Sequence, residues 1–390
     1  MKVLVTGSGG FLGKNLCAQL ENIRDGKARH PLLSLDLELF RFDVETPPRL
    51  LEEYARKADF VFHLAGANRP KEESEFMRVN RDLTSRLLDL LEANSNRAPV
   101  MLSSSTQAAL DNPYGLSKRA GEELLFDYAR RTGAAVCVYR FPNLFGKWSR
   151  PNYNSAVATF CHNIAADLPI TVSDPSVCLT LAYVDDAVEE LLRALAGRPT
   201  RKGDYCVVPV VHRATLGEIT AALYSFKASR EAKTIPDLSD PFTAKLYATY
   251  LSFLPTDGFA YPLKMNADAR GSFTEMFRTA DRGQFSINVS KPRVTKGNHW
   301  HHTKSEKFLV VSGSGVIRFR PIGSDEITEY FVSGDEMRVV DIPPGYTHNI
   351  ENLGGADMVT VMWCSECFDP DRPDTYFLPV QPDQPKETAK

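Results

Sequence analysis

The segment Thr6-Gly7-Ser8-Gly9-Gly10-Phe11-Leu12-Gly13 constrains the fold of this chain more than any other stretch. It follows Lys2-Val3-Leu4-Val5, a short apolar run of strand type, and precedes a helix-like stretch that begins near Asn15. Glycines let the backbone approach a pyrophosphate closely, and the helix N-terminus behind them offers it free N–H groups. Such a turn belongs between a strand and a helix, and the first half of the sequence continues that alternation. Residues 3–5, 32–35, 60–64, 100–102 and 135–139 are candidate strands, and 80–93 and 117–130 are amphipathic helical stretches between them. The pattern predicts βαβ units in an α/β, Rossmann-like, doubly wound parallel sheet.

From about Phe259 the texture changes to short period-2 runs at 284–289, 307–311, 315–320, 327–332 and 358–363, separated by Gly, Pro, Asn and Asp. This predicts an all-β antiparallel sandwich or small barrel. At 390 residues the chain exceeds what one core usually supports, so two domains are expected, 1–250 and 251–380. The boundary is placed in the proline-bearing stretch near 245–255, and the polar tail 381–390 is expected to be disordered. A net charge of −3, with both signs spread throughout, gives no basic field for nucleic acid and no polybasic membrane patch. The chain starts on its first strand, and no apolar run approaches the roughly 20 residues of a membrane span, so a cytoplasmic protein is expected. The cysteines number seven, an odd count that argues for free thiols. Cys364 and Cys367 are spaced as CxxC, but no second pair completes a zinc site.

Two sets of residues carry chemistry. In the first, an acid about 20 residues beyond the glycine turn is expected to hold a ribose. Asp36, after the 32–35 run, fits, and a carboxylate there would repel a 2′-phosphate and favour NAD over NADP. Asp43 and Val44 offer an acid and an apolar contact for adenine. Tyr114 and Lys118 stand four apart on a helix and share a face, so the ammonium can lower the phenol's pKa and let Tyr114 exchange a proton with a carbonyl or alcohol oxygen. In the second set, His299 and His301 lie on one face of a strand, Glu306 follows five residues on, and His348 is more distant. Three neutral imidazoles and one carboxylate suit Zn²⁺, Mn²⁺ or Fe²⁺ about equally. His302 points to the opposite face and is left out.

The first set resembles the extended short-chain dehydrogenase/reductases over roughly residues 1–245. The matching pieces are the glycine turn, Asp43-Val44, His63-Leu64-Ala65-Gly66, Asn80, Ser103-Ser104-Ser105, Tyr114 with Lys118, and Arg140-Phe141-Pro142-Asn143-Leu144-Phe145-Gly146. The resemblance implies a cofactor held by Gly7, Gly10, Phe11, Leu12, Gly13, Asp43, Val44, Leu64, Ala65, Gly66, Asn80 and Lys118, and substrate contacts from Arg140 and Asn143. It also implies a hydroxyl from residues 103–106 on the substrate carbonyl, for which Ser105 is chosen. The second set, Gly297 to Glu306 with Pro343 to Asn352, resembles the two motifs of the cupins, small β-barrels that bring three His and one Glu onto a metal. Arg270-Gly271-Ser272-Phe273-Thr274-Glu275 resembles the opening of the dTDP-4-dehydrorhamnose 3,5-epimerases, which use the same barrel.

Nearly the whole chain resembles the bifunctional enzymes of bacterial capsular polysaccharide synthesis. In that family the cupin epimerises C3 of UDP-2-acetamido-2,6-dideoxy-β-L-arabino-hexos-4-ulose. The N-terminal domain then reduces the C4 ketone, giving UDP-N-acetyl-6-deoxy-L-talosamine on the way to UDP-N-acetyl-L-fucosamine. The resemblance implies NADPH, zinc and a homodimer. Two other readings stay open: a reductase whose cupin only binds or dimerises, and a metal-dependent cupin oxygenase with a vestigial dinucleotide domain.

Overall fold

A computed structural model describes residues 1–33, 36–70 and 72–382. The chain divides into two units, one formed by 1–224 with 239–255 and the other by 225–238 with 256–390. The break at 255/256 falls beside the expected boundary. The second unit also claims 225–238, which the sequence reading left with the first.

In the first unit, β1 (Lys2–Thr6), α1 (Phe11–Arg24), β2 (Glu38–Phe42), α2 (Arg49–Lys57) and β3 (Phe60–His63) build the opening βαβαβ. Next, α3 (Ser74–Met77) passes through a π-turn at Arg78–Asp82 into α4 (Leu83–Ala93), followed by β4 (Val100–Ser105), α5 (Pro113–Thr132) and β5 (Val136–Phe141). Then come β6 (Asn143–Phe145), α6 (Ala156–Ala165), β7 (Cys178–Tyr183), α7 (Val184–Leu195), β8 (Arg201–Lys202), β9 (Tyr205–Cys206), β10 (His212–Thr215), α8 (Leu216–Ala232) and α9 (Pro241–Leu251). The main sheet runs β2-β1-β3-β4-β5-β9-β8 and is parallel except for the β8–β9 pair. Its order reverses after β1, the point at which a ligand crevice opens beyond the strand C-termini.

The sheet is buried on both faces, as its apolar strands require. Val3 and Val5 pack with Leu16 and Leu20 of α1 and Leu191 of α7, while Leu4 between them packs with Leu51 of α2, Leu87 of α4 and Leu125 of α5. Helix α5 has clear ends: Asn112 caps the Gly115 N–H, Pro113 takes the first turn, and Gly133 closes it in the left-handed region at φ 73°.

The expected second strand at 32–35 is not where the strand forms. The paired strand is Glu38–Phe42, and two residues of the expected run, 34 and 35, lie outside the described residues. The acid at the end of β2 is therefore Asp43.

In the second unit β11 (Met265–Asp268), β12 (Gly271–Arg278), β13 (Gln284–Ser290), β14 (Thr295–Trp300), β15 (Glu306–Ser312) and β16 (Ser314–Pro321) lead into β17 (Thr328–Ser333), β18 (Val339–Ile342), β19 (Tyr346–Asn352), β20 (Met358–Cys364) and β21 (Tyr376–Phe377). Two antiparallel sheets, β11-β12-β13-β20-β15-β18 and β17-β16-β19-β14-β21, form a cupin-type barrel. Its interior is divided. One part is apolar, with Phe308, Val310, Ile317, Phe319, Ile350 and Met358. Elsewhere the buried side chains are polar: Ser272 and Thr274 of β12, Gln284, Ser286, Asn288 and Ser290 of β13, and Thr360 of β20. The segment 225–238 joins this unit through Ile235 N–H to Arg278 O (2.9 Å) and Arg278 N–H to Lys233 O (3.0 Å). The tail expected at 381–390 lies, from 383 on, outside the described residues.

Candidate functional site

The glycine turn closes on itself by Gly10 N–H to Gly7 O at 3.0 Å. Gly7 has φ 69°, and a Cβ there would lie 2.6 Å from the Ala65 nitrogen; one on Gly13 would lie 2.1 Å from Gly7 O. No larger residue fits either place. Gly10 caps α1 without a side-chain bond, and no acid stands in the helix's first turn, so its leading N–H groups face the crevice unblocked. These features suit a pyrophosphate. Leu64, Ala65 and Gly66 leave β3 alongside, with Leu64 N–H on Thr6 O at 3.1 Å. Asn80, in the π-turn, grips the next residue by Ala67 N–H to Oδ1 (2.9 Å) and Nδ2 to Ala67 O (3.0 Å), and also donates to Ser117 Oγ (2.9 Å).

Behind this loop stands a residue that the sequence analysis quoted in a family motif but gave no role of its own. His63 is buried between two threonines. The Thr84 hydroxyl donates to Asn80 O (2.8 Å) and so accepts from His63 Nε2–H (2.9 Å), which leaves Nδ1 to accept from the Thr6 hydroxyl (2.6 Å). Burial, with Lys118 adding to it, pushes the ring down to about 3 and keeps it neutral.

Asp36 is not at the crevice. It precedes β2, its carbonyl accepts from the N-terminal ammonium at 2.7 Å, and it sits at the opposite end of β1 from the turn. Asp43 lies beside the glycine turn: Oδ2 accepts Gly9 N–H at 2.6 Å and Oδ1 accepts Val44 N–H at 2.8 Å. Val44 itself is 96% exposed, open to any ring that lies there.

Tyr114 and Ser105 come together at the end of β4. The phenol is raised above its ordinary value by burial, which a hydrogen bond from Ser105 partly offsets. Lys118 is buried, and its Nζ lies 5.9 Å from the Tyr114 ring and donates to Ser103 O at 3.0 Å. The shared helix face thus sets the ammonium beside the ring, but its hydrogen bond goes to the strand and not to the phenol. Burial brings Lys118 down to about 8, against the pull of Glu122. Ser104 is excluded as the hydroxyl donor because it donates to Glu122.

Arg140 is also corrected. Its guanidinium makes two bonds to Glu122, at 2.9 and 2.6 Å, and a third to the Tyr205 hydroxyl at 2.8 Å, so it neutralises a buried carboxylate and does not reach for substrate. The Glu122 side chain is only 2% exposed. Arg140→Met should therefore cost about 3–5 kcal/mol of stability, because the carboxylate is left buried without its partner. Denaturant unfolding measures this, and a loss under about 1 kcal/mol would show that water reaches Glu122. Asn143 is exposed on β6, with Nδ2 on Thr180 O at 3.2 Å.

In the barrel the four expected ligands converge. The donor atoms of His299, His301, Glu306 and His348 all lie within 4.8 Å of one another. A bulge in β14, with Gly297 at φ 104° and Asn298 at φ 58°, sets His299 opposite His348 of β19. Glu306 Oε2 lies 3.2 Å from His348 Nε2 and 3.5 Å from His301 Nε2. His301 Nε2, both ring nitrogens of His348 and Glu306 Oε2 are buried without a hydrogen-bond partner. Such orphaned donors facing a common point fit a divalent cation. Burial takes His299 down to about 3, so it is a neutral imidazole. For Glu306 burial acts upward, but His301 and His348 outweigh it and hold the carboxyl below its usual range. His302 lies outside the cluster, against Trp300 and Tyr376. The ligands border a cavity of about 460 Å³, lined also by Arg270, Asn288, Lys296 and Cys364. That is room for a sugar.

The fold and these two sites define a dinucleotide-type α/β domain joined to a metal-type cupin barrel on one chain. Residues 3–207 match the NAD dependent epimerase/dehydratase family and 266–376 the polysaccharide biosynthesis C-terminal domain. The chain belongs to the NAD dependent epimerase/dehydratase family, and carries this second domain behind it. It is 45% identical over 380 residues to the UDP-2-acetamido-2,6-beta-L-arabino-hexul-4-ose reductase of Pseudomonas aeruginosa, covering 97% of this chain and 99% of that one. The crystal structure of the capsular polysaccharide assembling protein CapF from Staphylococcus aureus superposes with a TM-score of 0.90 at 54% identity, covering 97% of this chain and all of the other. The spore coat polysaccharide biosynthesis protein SpsL of Bacillus subtilis is 25% identical over 127 residues, 30% of this chain and 84% of its own.

Proposed function

We propose that this chain is a bifunctional UDP-sugar enzyme of capsular polysaccharide synthesis. In this reading the barrel epimerises C3 of UDP-2-acetamido-2,6-dideoxy-β-L-arabino-hexos-4-ulose, and the α/β domain reduces the C4 ketone to give UDP-N-acetyl-6-deoxy-L-talosamine. The observation that carries the proposal is the presence of two complete sites on one chain. Ser105, Tyr114 and Lys118 stand at the crevice of the glycine turn, and four candidate ligand side chains, three of them with buried unpartnered atoms, line a cavity of sugar size.

The order of the two steps follows from the substrate. A ketone at C4 acidifies the C3 hydrogen, so a base can remove it and a proton can return on the other face; once C4 is an alcohol, that acidity is gone. Zinc on His299, His301, Glu306 and His348 would supply Lewis-acid stabilisation of negative charge on the sugar oxygen. The cavity wall of hydroxyls and amides holds a polar ring and limits water. In the other domain NADPH would supply the hydride. Tyr114 holds the proton that the new alkoxide takes, Ser105 orients that oxygen, and Lys118 contributes positive charge beside the phenol. Asn143 is assigned to the sugar. Each Asp43 oxygen accepts one backbone N–H group, which draws the carboxylate toward the glycine turn and Val44, and the cofactor is assigned as NADPH. A homodimer and a cytoplasmic location belong to the same reading, with no role for nucleic acid or membrane. Among the described residues no helix is long and apolar enough to cross a membrane.

Incubation of the full chain with the 4-keto sugar nucleotide in deuterated water tests the reading. Deuterium should enter C3 without any reductant, and NADPH should convert the exchanged sugar to the 4-alcohol with a higher kcat/KM than NADH. If C3 does not exchange while a C3-epimerised substrate is still reduced, the barrel is a binding or dimerising module. If NADH is the better reductant, Asp43 faces the ribose.

A further inference from the structure

The sequence analysis gave Asp374, in the strap that follows β20, no role, yet this residue makes five hydrogen bonds to residues 301–304, the segment that leaves β14 through His301. Asp374 adopts φ 39°, a left-handed conformation unusual for a non-glycine residue. Its Oδ1 accepts His302 N–H at 3.0 Å; its Oδ2 accepts Thr303 N–H at 2.9 Å, Lys304 N–H at 3.1 Å and the Thr303 hydroxyl at 3.1 Å. Three successive backbone donors immediately after His301 are thus gathered on one carboxylate, an arrangement of charge-assisted bonds stronger than neutral ones. The carbonyl of the same residue accepts from His301 Nδ1.

That last bond decides a tautomer. A carbonyl can only accept, so Nδ1 carries a proton, and in the neutral ring that binds a metal Nε2 is the nitrogen that presents its lone pair to the cluster. This is the nitrogen that lies 3.5 Å from Glu306 Oε2 and has no hydrogen-bond partner. The strap is held on both sides of this contact. Lys304 Nζ donates to Pro373 O, β21 pairs with β14 at His299–Phe377 and Trp300–Tyr376, and Asn298 O accepts Leu378 N–H at 2.9 Å. Arg320 donates to Pro379 O at 2.7 Å and Val380 O at 2.8 Å.

We propose that Asp374 is the positioning residue of the barrel's metal centre, fixing the tautomer and place of His301 and so setting metal affinity. This rests on the four-ligand metal reading. Outer partners of metal-bound histidines are worth roughly 10–100-fold in affinity.

The test is titration of the metal-free full chain with Zn²⁺ against a competing chelator, with near-UV circular dichroism and thermal unfolding of the metal-free state as the fold control. Wild type should bind one Zn²⁺ per chain. Asp374→Ala should bind it roughly 10–100-fold more weakly with the metal-free fold unchanged. Asp374→Asn keeps the side-chain shape but loses the charge and most of its acceptors; it should weaken Zn²⁺ in the same direction, and it carries the test alone if the alanine variant does not fold. Co²⁺ in place of Zn²⁺ should show altered visible bands in both variants, a change in ligand geometry that a merely structural strap would not produce. Equal Zn²⁺ affinity in wild type and Asp374→Asn overturns the inference while leaving the metal site standing. A wild type that binds no Zn²⁺ overturns the metal reading itself.

Discussion

Tyr114→Phe is expected to lower the rate of ketone reduction roughly 10²–10⁴-fold and to leave deuterium exchange at C3 unchanged. The magnitude is that of a general acid removed from a reaction whose product is an alkoxide. Burial supplies the physical basis, because it raises the phenol above its ordinary value and so keeps the donor protonated through the neutral range. The neighbouring cation limits the useful range from above. Lys118 gives up its proton near pH 8 because it is buried, and the positive charge that favours the departing proton disappears with it. Reduction should therefore fall as pH rises through about 8, whereas C3 exchange, which uses neither group, should not share that limb. Steady-state reduction and exchange measured on the same preparations decide the matter. A Tyr114→Phe variant that loses both activities equally has lost its fold or its substrate, and the assignment fails.

How much of this was legible in the sequence differs between the two domains for a physical reason. The parallel sheet is apolar on both faces, so β1, β3, β4 and β5 stood out as apolar runs within one to three residues of their true ends. The second strand did not. Glu38–Phe42 lies at the sheet edge with Glu38 and Arg41 exposed and only Phe40 buried, and the run before it drew the assignment, carrying the expected ribose acid to Asp36 although the acid that follows the strand is Asp43. Helix α5 shows the limit of a motif. Tyr114 and Lys118 were plain from their spacing, but the buried stripe of this helix also includes Ser117 and Glu122 before it turns apolar at Leu125 and Tyr128. A buried carboxylate needs a cation, and only the folded pairing of β4 with β5 shows that Arg140 supplies it.

In the barrel the period-2 runs were right in place, but on β13 burial follows the polar set. Gln284, Ser286, Asn288 and Ser290 are buried, while Phe285, Ile287 and Val289 are only partly so. Burying amides and hydroxyls is costly unless they are bonded or meet a polar ligand. Alternation alone does not say which set faces inward, and here the cavity decides it. Asp374 was illegible for another reason, since its partners are backbone N–H groups some 70 residues earlier and every residue has one.

His348→Ala should abolish tight metal binding and C3 exchange together, while reduction of a C3-epimerised substrate continues. His348 lies 1% exposed at the centre of the cluster, with both ring nitrogens lacking a hydrogen-bond partner. Its replacement removes one of four donors and leaves Glu306 with His301 alone at ion-pair distance. Loss of a direct ligand should exceed the 10–100-fold of an outer partner, so a weakening on the order of 10³-fold or more is expected. Neutral imidazole and ionised carboxylate are the forms that bind metal, so acid should release it from the wild type as the histidines take up protons. Elemental analysis of the purified variant reads the first effect, and deuterium at C3 the second. Full metal occupancy in His348→Ala would remove this histidine from the site. Loss of metal with undiminished exchange would mean that the cation braces the barrel and that the proton is moved without it.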